Sequence, residues 1–149
     1  IVYGFGPSFR YKKFDFSFFF QGAARVSIMM NGIHPFGDGE TRSVLQFIAD
    51  DYWSEDNQNI YAKYPRLSKR DNPNNTAWST YWQRNGAFLK LKNAEIGFNH
   101  KFFRIYLRGS NLLTFSPFKY WDPEMGSGSG LSYPTQRVFN VGVQFSINK

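Results

Sequence analysis

Residues 137–147, Arg137-Val-Phe-Asn-Val-Gly-Val-Gln-Phe-Ser-Ile147, alternate between two chemistries almost without exception. Phe139, Val141, Val143, Phe145 and Ile147 share one parity, and Asn140, Gly142, Gln144 and Ser146 share the other. Successive side chains of a strand face opposite sides of a sheet, so this strand has one oily face and one wet face. The pattern recurs along the chain, with aromatic residues at the oily positions and polar or charged residues at the others. A sheet built this way points to a β-barrel in a membrane rather than to a soluble sandwich.

Composition agrees. Of 149 residues 20% are aromatic, including 17 Phe, while mean hydropathy is negative. A lipid-facing wall with interfacial aromatic girdles uses that many rings. No run approaches the roughly 20 apolar residues of a membrane helix, so spanning must be by strands. Absent cysteines exclude a disulfide scaffold and a thiolate metal site. The formal charge of +7 is spread over strands and loops, with short groups only at Tyr11-Lys-Lys13 and Lys69-Arg70. Scattered charge of this kind reads as a solvated face, and no nucleic-acid partner is expected. No signal peptide opens the chain, which is expected to begin within something larger.

Five strands are expected, at about 2–11, 14–28, 87–99, 103–113 and 137–147. In the first, Tyr3, Phe5, Pro7, Phe9 and Tyr11 share a face; in the second, Phe14, Phe16, Phe18 and Phe20 face outward while Asp15, Ser17 and Gln21 face inward, with Phe19 as the exception. Such a row of phenylalanines on a water-facing sheet would be an aggregation hazard, which lipid removes. The third strand keeps one apolar face only if its parity slips, so a β-bulge is expected near Lys92-Asn93. In the fourth, Arg104, Tyr106 and Arg108 point inward and Ile105 and Leu107 outward. Extracellular loops are expected over about 31–77 and 115–136, the first with a short helix within 40–51 and the second with a flexible stretch at Gly126-Ser-Gly-Ser-Gly130. Short turns alternate with long loops, which puts the C-terminus in the periplasm. Five strands cannot close a barrel, whose smallest single-chain forms have about eight. The remaining wall must come from elsewhere.

Several segments resemble one family in its own order. Tyr52-Trp-Ser-Glu-Asp-Asn57 with Tyr64-Pro-Arg-Leu67 resembles the tryptophan-loop signature of SusC/RagA-type TonB-dependent outer-membrane transporters. Gly86-Ala-Phe-Leu-Lys-Leu-Lys-Asn93 followed by Ala94-Glu-Ile-Gly-Phe98 is similar to that family's "SYLRLKN" strand, with Ala87, Phe88 and Lys90 in place of its Ser, Tyr and Arg. Gly109-Ser-Asn-Leu112, Trp121-Asp-Pro-Glu124 and Tyr133-Pro-Thr-Gln-Arg137 are similar to its next strand, acidic loop and last-strand entry. The resemblance implies an all-β fold, the C-terminal strands of a large barrel of about 22 strands around a plug. The plug, and the segment through which TonB is engaged, match nothing in residues 1–149. It further implies a SusD-like surface lipoprotein as lid and uptake of bulky nutrients such as oligosaccharides or peptides across the outer membrane. The polar, glycine, aromatic, hydrophobic spacing of Asn140, Gly142, Phe145 and Ile147 resembles the signal read by the outer-membrane assembly machinery. A soluble or surface-attached carbohydrate-binding β-domain is the alternative, and it requires a second sheet over the phenylalanine rows.

Catalytic patterns are missing from the sequence, and no enzyme activity, cofactor or metal is expected. His34 and His100 have no second ligand at metal spacing. Gly126 to Gly130 lacks the Lys-Ser/Thr of a phosphate loop. Asp122 and Glu124 beside Pro123 read as a capped turn rather than as paired glycosidase carboxylates or calcium ligands. Binding is better supported, because the loop rings of Trp53, Tyr61, Tyr64, Trp78, Trp82, Tyr120 and Trp121 suit sugar stacking or packing beneath a lid. Of these, Trp53, Trp82, Tyr120 and Trp121 are the foremost ligand- or lid-contacting candidates. Lys90, Glu95, Arg104 and Arg108 are expected to form charge networks on the inner face.

Overall fold

The computed structural model describes residues 1–33, 43–70 and 72–146. His34, Ile147 and the start of the expected helical stretch at 40–42 lie outside them. The chain divides into two compact units, one of residues 1–27, 85–125 and 133–149 and the other of residues 28–84 and 126–132.

The first unit is an antiparallel sheet five positions wide. Its strands are β1 (Val2–Phe5), β2 (Ser8–Tyr11), β3 (Phe14–Ala23), β6 (Phe88–Asn99), β7 (Phe103–Phe115) and β8 (Val138–Phe145), while β4 (Ser27–Met29) and β5 (Gln83–Asn85) form a separate short ribbon. The order is β1-β3-β6-β7-β8, with β2 also on β3. β1 and β2 are two halves of one edge strand, broken at Gly6-Pro7, where proline contributes no amide and only the Pro7 carbonyl accepts, from Phe18 N at 3.0 Å. β3 ends at Ala23 rather than running to 28, because Arg25 adopts a left-handed φ of 56° and turns the chain out of the ladder.

Register sorts the faces. Phe9, Phe16, Ile96, Leu107 and Val141 are cross-strand partners in one apolar row; Tyr11, Phe14, Phe98, Ile105 and Val143 form the next. Phe5 stacks on Phe20 and Phe9 on Phe16, each with ring centroids 5.1 Å apart. Such pairs contribute about 0.5–1.5 kcal/mol beyond their buried area. The face is nonetheless open, with Val141 76% and Phe145 77% exposed. On the opposite face, Asp15 pairs with Gly97, Tyr106 and Gly142 in turn, and Ser17 with Glu95, Arg108 and Asn140.

The expected bulge is present: Phe19 pairs with Asn93 and Phe20 with Leu91, so Lys92 is the extra residue. A second irregularity lies opposite it in β7 around Asn111, whose φ is 54°. Phe19, the sequence exception, lies over Gly4 and Gly6, where a Cβ would come within 3.3 Å and 3.1 Å of its ring. Two glycines thus make room for one aromatic on the wet face.

The second unit has its own core of Ile28, Met30, Ile33, Ile48, Tyr64 and Trp82, all buried. A short ribbon pairs β4 (Ser27–Met29) with β5 (Gln83–Asn85). α1 (Gln46–Ala49) is a single turn, and its N-cap position holds Leu45, which offers no capping oxygen. α2 (Pro73–Thr76) starts on a proline, whose missing amide costs nothing there. The Gly126–Gly130 stretch, expected to be flexible, is held in place. Gly126, Gly128 and Gly130 all have positive φ, Gly128 N donates to Met29 O at 3.0 Å, and Asn31 N donates to Gly128 O at 3.1 Å.

Candidate functional site

Two ion networks organise the polar face. Arg104 on β7 reaches diagonally across β6 to Asp15 on β3, through Nη2 to Oδ1 and Nε to Oδ2, and donates from Nη2 to Glu95 Oε1 at 2.7 Å. The path crosses Gly97, where any Cβ would sit 2.5 Å from Arg104 Nη2 and 2.7 Å from the Asp15 carboxylate. Glycine leaves the space through which these two side-chain ends meet, and a larger residue would make them shift. Asn99 Nδ2 also donates to Asp15. Among the described residues Arg108 reaches only Asn93 Oδ1, at 3.5 Å.

The second network anchors the loop after β7. Lys90, only 1% exposed, donates to Asp122 Oδ2 at 2.5 Å and Glu124 Oε2 at 2.8 Å. Lys92, the bulge residue, adds Glu124 Oε1 at 2.7 Å. Thr135 Oγ1 donates to Asp122, and Glu124 N donates to Asp122 Oδ1 at 3.1 Å. The capped-turn reading of Asp122 is therefore correct but incomplete, since the same carboxylate also accepts from a lysine 32 positions away. Burial pushes both carboxyls up, but the lysine bonds outweigh it and hold Asp122 and Glu124 below the usual carboxylate range. A buried ammonium with two carboxylate partners is a clamp, because leaving any one of them alone is costly.

The clamp sets the neighbouring rings. Phe118 is buried and meets Trp121 edge-on at 4.7 Å and Tyr120 at 5.3 Å, and both of these are half-buried. Trp53 and Trp82 come together elsewhere, within the second unit. There the two halves of the tryptophan-loop signature pair directly: Tyr52 bridges Tyr64, Trp53 N donates to Tyr64 O at 3.0 Å, and Arg66 donates to Glu55 at 2.8 Å. Trp53, Tyr64, Tyr81 and Trp82 line an open cleft of about 430 Å³ together with Asn59, Asn74, Asn75 and Ser79. Trp82 is buried, its Nε1 donating to Asn75 O at 2.9 Å, and it also borders a smaller cleft of about 270 Å³ beside Met29, Met30 and Trp78. The four candidate rings thus fall into two pairs, one per unit.

Asn140 and Gly142 lie on the wet face of β8 and Phe145 on the oily face, while Ile147 is outside the described residues. Tyr106 covers Gly142, and a Cβ there would make the tyrosine ring shift. Sequence reasoning did not find Asp15 as the partner of Arg104. The signal was Gly97, a glycine in mid-strand on the charged face.

No family model matches the chain. The TonB-dependent receptor P3 of Formosa agariphila is 28% identical over 163 residues, covering 94% of this chain and 16% of its own length. The TonB-dependent receptor P26 of the same organism is also 28% identical, over 170 residues, 96% of this chain and 16% of its own. The fold matches the RagAB peptide importer in its open-open state with a TM-score of 0.71 at 22% identity, over 98% of this chain and 17% of that one. The closed-closed state gives 0.68 at 21% identity, over 97% and 17%. The chain is similar, in sequence and in fold, to part of a SusC/RagA-type TonB-dependent barrel. It spans about one sixth of the length of these relatives.

Proposed function

We propose that the chain forms barrel wall and extracellular loops of a TonB-dependent outer-membrane importer for bulky nutrients such as oligosaccharides or peptides. The observation that carries this reading is the partition of the sheet: successive register rows from β2 to β8 alternate between an apolar face and a polar or charged one, except where Phe19 and Val138 share a row with Asn93 and Ser110. A membrane wall between lipid and a wet lumen needs that division. Soluble sandwiches share the alternation but cover the apolar face with a second sheet, as a carbohydrate-binding β-domain would. The exposure of Val141 and Phe145 favours the membrane.

In this reading these are the C-terminal strands, the turns at Lys12-Lys13 and His100-Phe102 are periplasmic, and the C-terminus is periplasmic as well. The loops at about 31–77 and 115–136 are extracellular, and Trp53, Trp82, Tyr120 and Trp121 contact cargo or a SusD-like lipoprotein. The polar face lines the plug, and TonB acts through parts of the polypeptide beyond this chain. Asn140, Gly142, Phe145 and Ile147 present the last strand to the assembly machinery.

The test is fractionation and uptake with the native polypeptide that contains these residues. A barrel that needs detergent, sits in the outer membrane and supports uptake abolished by an uncoupler agrees with the proposal. A monodisperse form in plain buffer points instead to the carbohydrate-binding domain. Removing residues 145–149 is expected to leave the polypeptide in the periplasm; unimpaired membrane assembly would remove the signal role.

A further inference from the structure

The two tight turns at one end of the sheet bring their cations together. Lys12 and Lys13 close β2 onto β3, Lys101 lies between β6 and β7, and β3 and β6 are neighbours. Asn99 N donates to Lys13 O at 2.7 Å, which ties one turn to the next strand end. Paired strands lie about 4.8 Å apart, so the backbones that carry the three lysines are close enough for their side chains to reach one or two neighbouring lipid headgroups. All three lysines are exposed, and among the described residues none has a carboxylate partner. The nearby acid, Asp15, is committed to Arg104 and Asn99 on the other face.

Two of these cations sit against aromatic rings. Lys12 Nζ lies 5.4 Å from the centre of the Tyr11 ring, and Lys101 Nζ 5.3 Å from that of Phe102. Tyr11 is in the outward row with Phe14 and Phe98, and the rings at this end are largely exposed. Apolar rings beneath exposed ammonium groups form a surface whose lower part suits acyl chains and whose rim suits phosphate. A lysine near an anionic bilayer surface contributes about 1 kcal/mol, and interfacial rings sit at headgroup level.

We propose that Lys12, Lys13 and Lys101 form a binding site for anionic phospholipid on the rim of the barrel. The inference rests on the membrane reading above, and it selects which lipid borders these strands. An anionic headgroup replaces the missing carboxylates, so the rim holds phosphatidylglycerol in preference to a zwitterionic lipid.

The experiment uses the native polypeptide inserted in vesicles of phosphatidylethanolamine with phosphatidylglycerol, its bound lipid measured after extraction with a small detergent shell. The protein is expected to retain phosphatidylglycerol above its bulk fraction, and the combined K12Q, K13Q and K101Q variant, which removes all three cations, is expected to lose that enrichment and return to the bulk fraction. Lys119→Gln, which removes an exposed charge elsewhere, is expected to change nothing. Unaltered enrichment in the triple variant, or an equal loss in Lys119→Gln, overturns the site. Displacement by inorganic phosphate at millimolar concentration overturns the assignment to lipid. Failure to insert at all would instead sink the membrane reading, whereas insertion without lipid preference sinks only this inference.

Discussion

Lys90 Nζ lies 2.5 Å from Asp122 Oδ2, although a whole strand and half a loop separate the two residues in sequence. The contact joins a buried lysine near the start of β6 to the acidic turn of the loop. Lys90→Met would leave Asp122 and Glu124 partly buried without their shared cation, and breaking such a pair costs about 3 kcal/mol. Hydrogen exchange over residues 118–125 is expected to accelerate while the strands keep their protection. Unchanged exchange in the loop would mean that the clamp does not hold it.

The same clamp has a pH signature. Asp122 and Glu124 have ordinary values of 3.8 and 4.5, and both are depressed in the folded chain. A depressed carboxyl contributes stability that is complete above its unfolded value and lost as pH falls through its folded one. Loop docking is therefore constant from neutral pH down to about 5 and weakens only in stronger acid. Trp121 emission followed against pH reports it, and a release centred near pH 6.5 would exclude these carboxylates as the cause.

Gly97 leaves the space in which Arg104 and Asp15 meet. A Cβ at this position would stand against both partners, so Gly97→Val is expected to separate them and to cost about 1–3 kcal/mol, the usual penalty of overpacking. Unfolding of the barrel in detergent measures it. Gly97→Val and Arg104→Gln should be markedly less than additive, since both remove one interaction. Full additivity would contradict the shared origin.

The two faces of one strand should respond differently to charge. Leu107→Lys places an ammonium on the apolar face and is expected to cost about 2–4 kcal/mol at mid-membrane depth. Asn140→Lys, one register row away on the wet face, is expected to be mild. Folding yield into vesicles separates the two, and equal penalties would argue against a lipid-facing side.

Much of the sheet was legible in the sequence because a period of two is a local signal. The slip of parity between Leu91 and Ala94 located the bulge near Lys92-Asn93 before any partner strand was known, and the register narrows it to Lys92. The turn at Arg25 was not legible, because Gly22, Ala24, Val26 and Ile28 keep the alternation after the ladder has ended. Gly126 to Gly130 misled in the opposite sense. Its composition suggests a flexible segment, but the backbone conformations that glycine permits are what let it bond to Met29 and Asn31. The tryptophan-loop signature announced a motif but not that its halves pair through Tyr52 and Tyr64. Lys90 and Arg104 were recognisable as inward charges; their partners, 32 and 89 positions away, depend on register and loop path.

The central claim is that the alternation of β8 divides lipid from water. The chain has no cysteine, so a nitroxide label can be attached at one engineered cysteine at a time from 138 to 145 in the native polypeptide in membranes. Collision rates with oxygen, which concentrates in lipid, and with a water-soluble nickel chelate then read each position. Labels at 139, 141, 143 and 145 are expected to favour oxygen, and those at 140, 142 and 144 the chelate, in strict alternation. Chelate access at every position, or no period of two, would contradict the account.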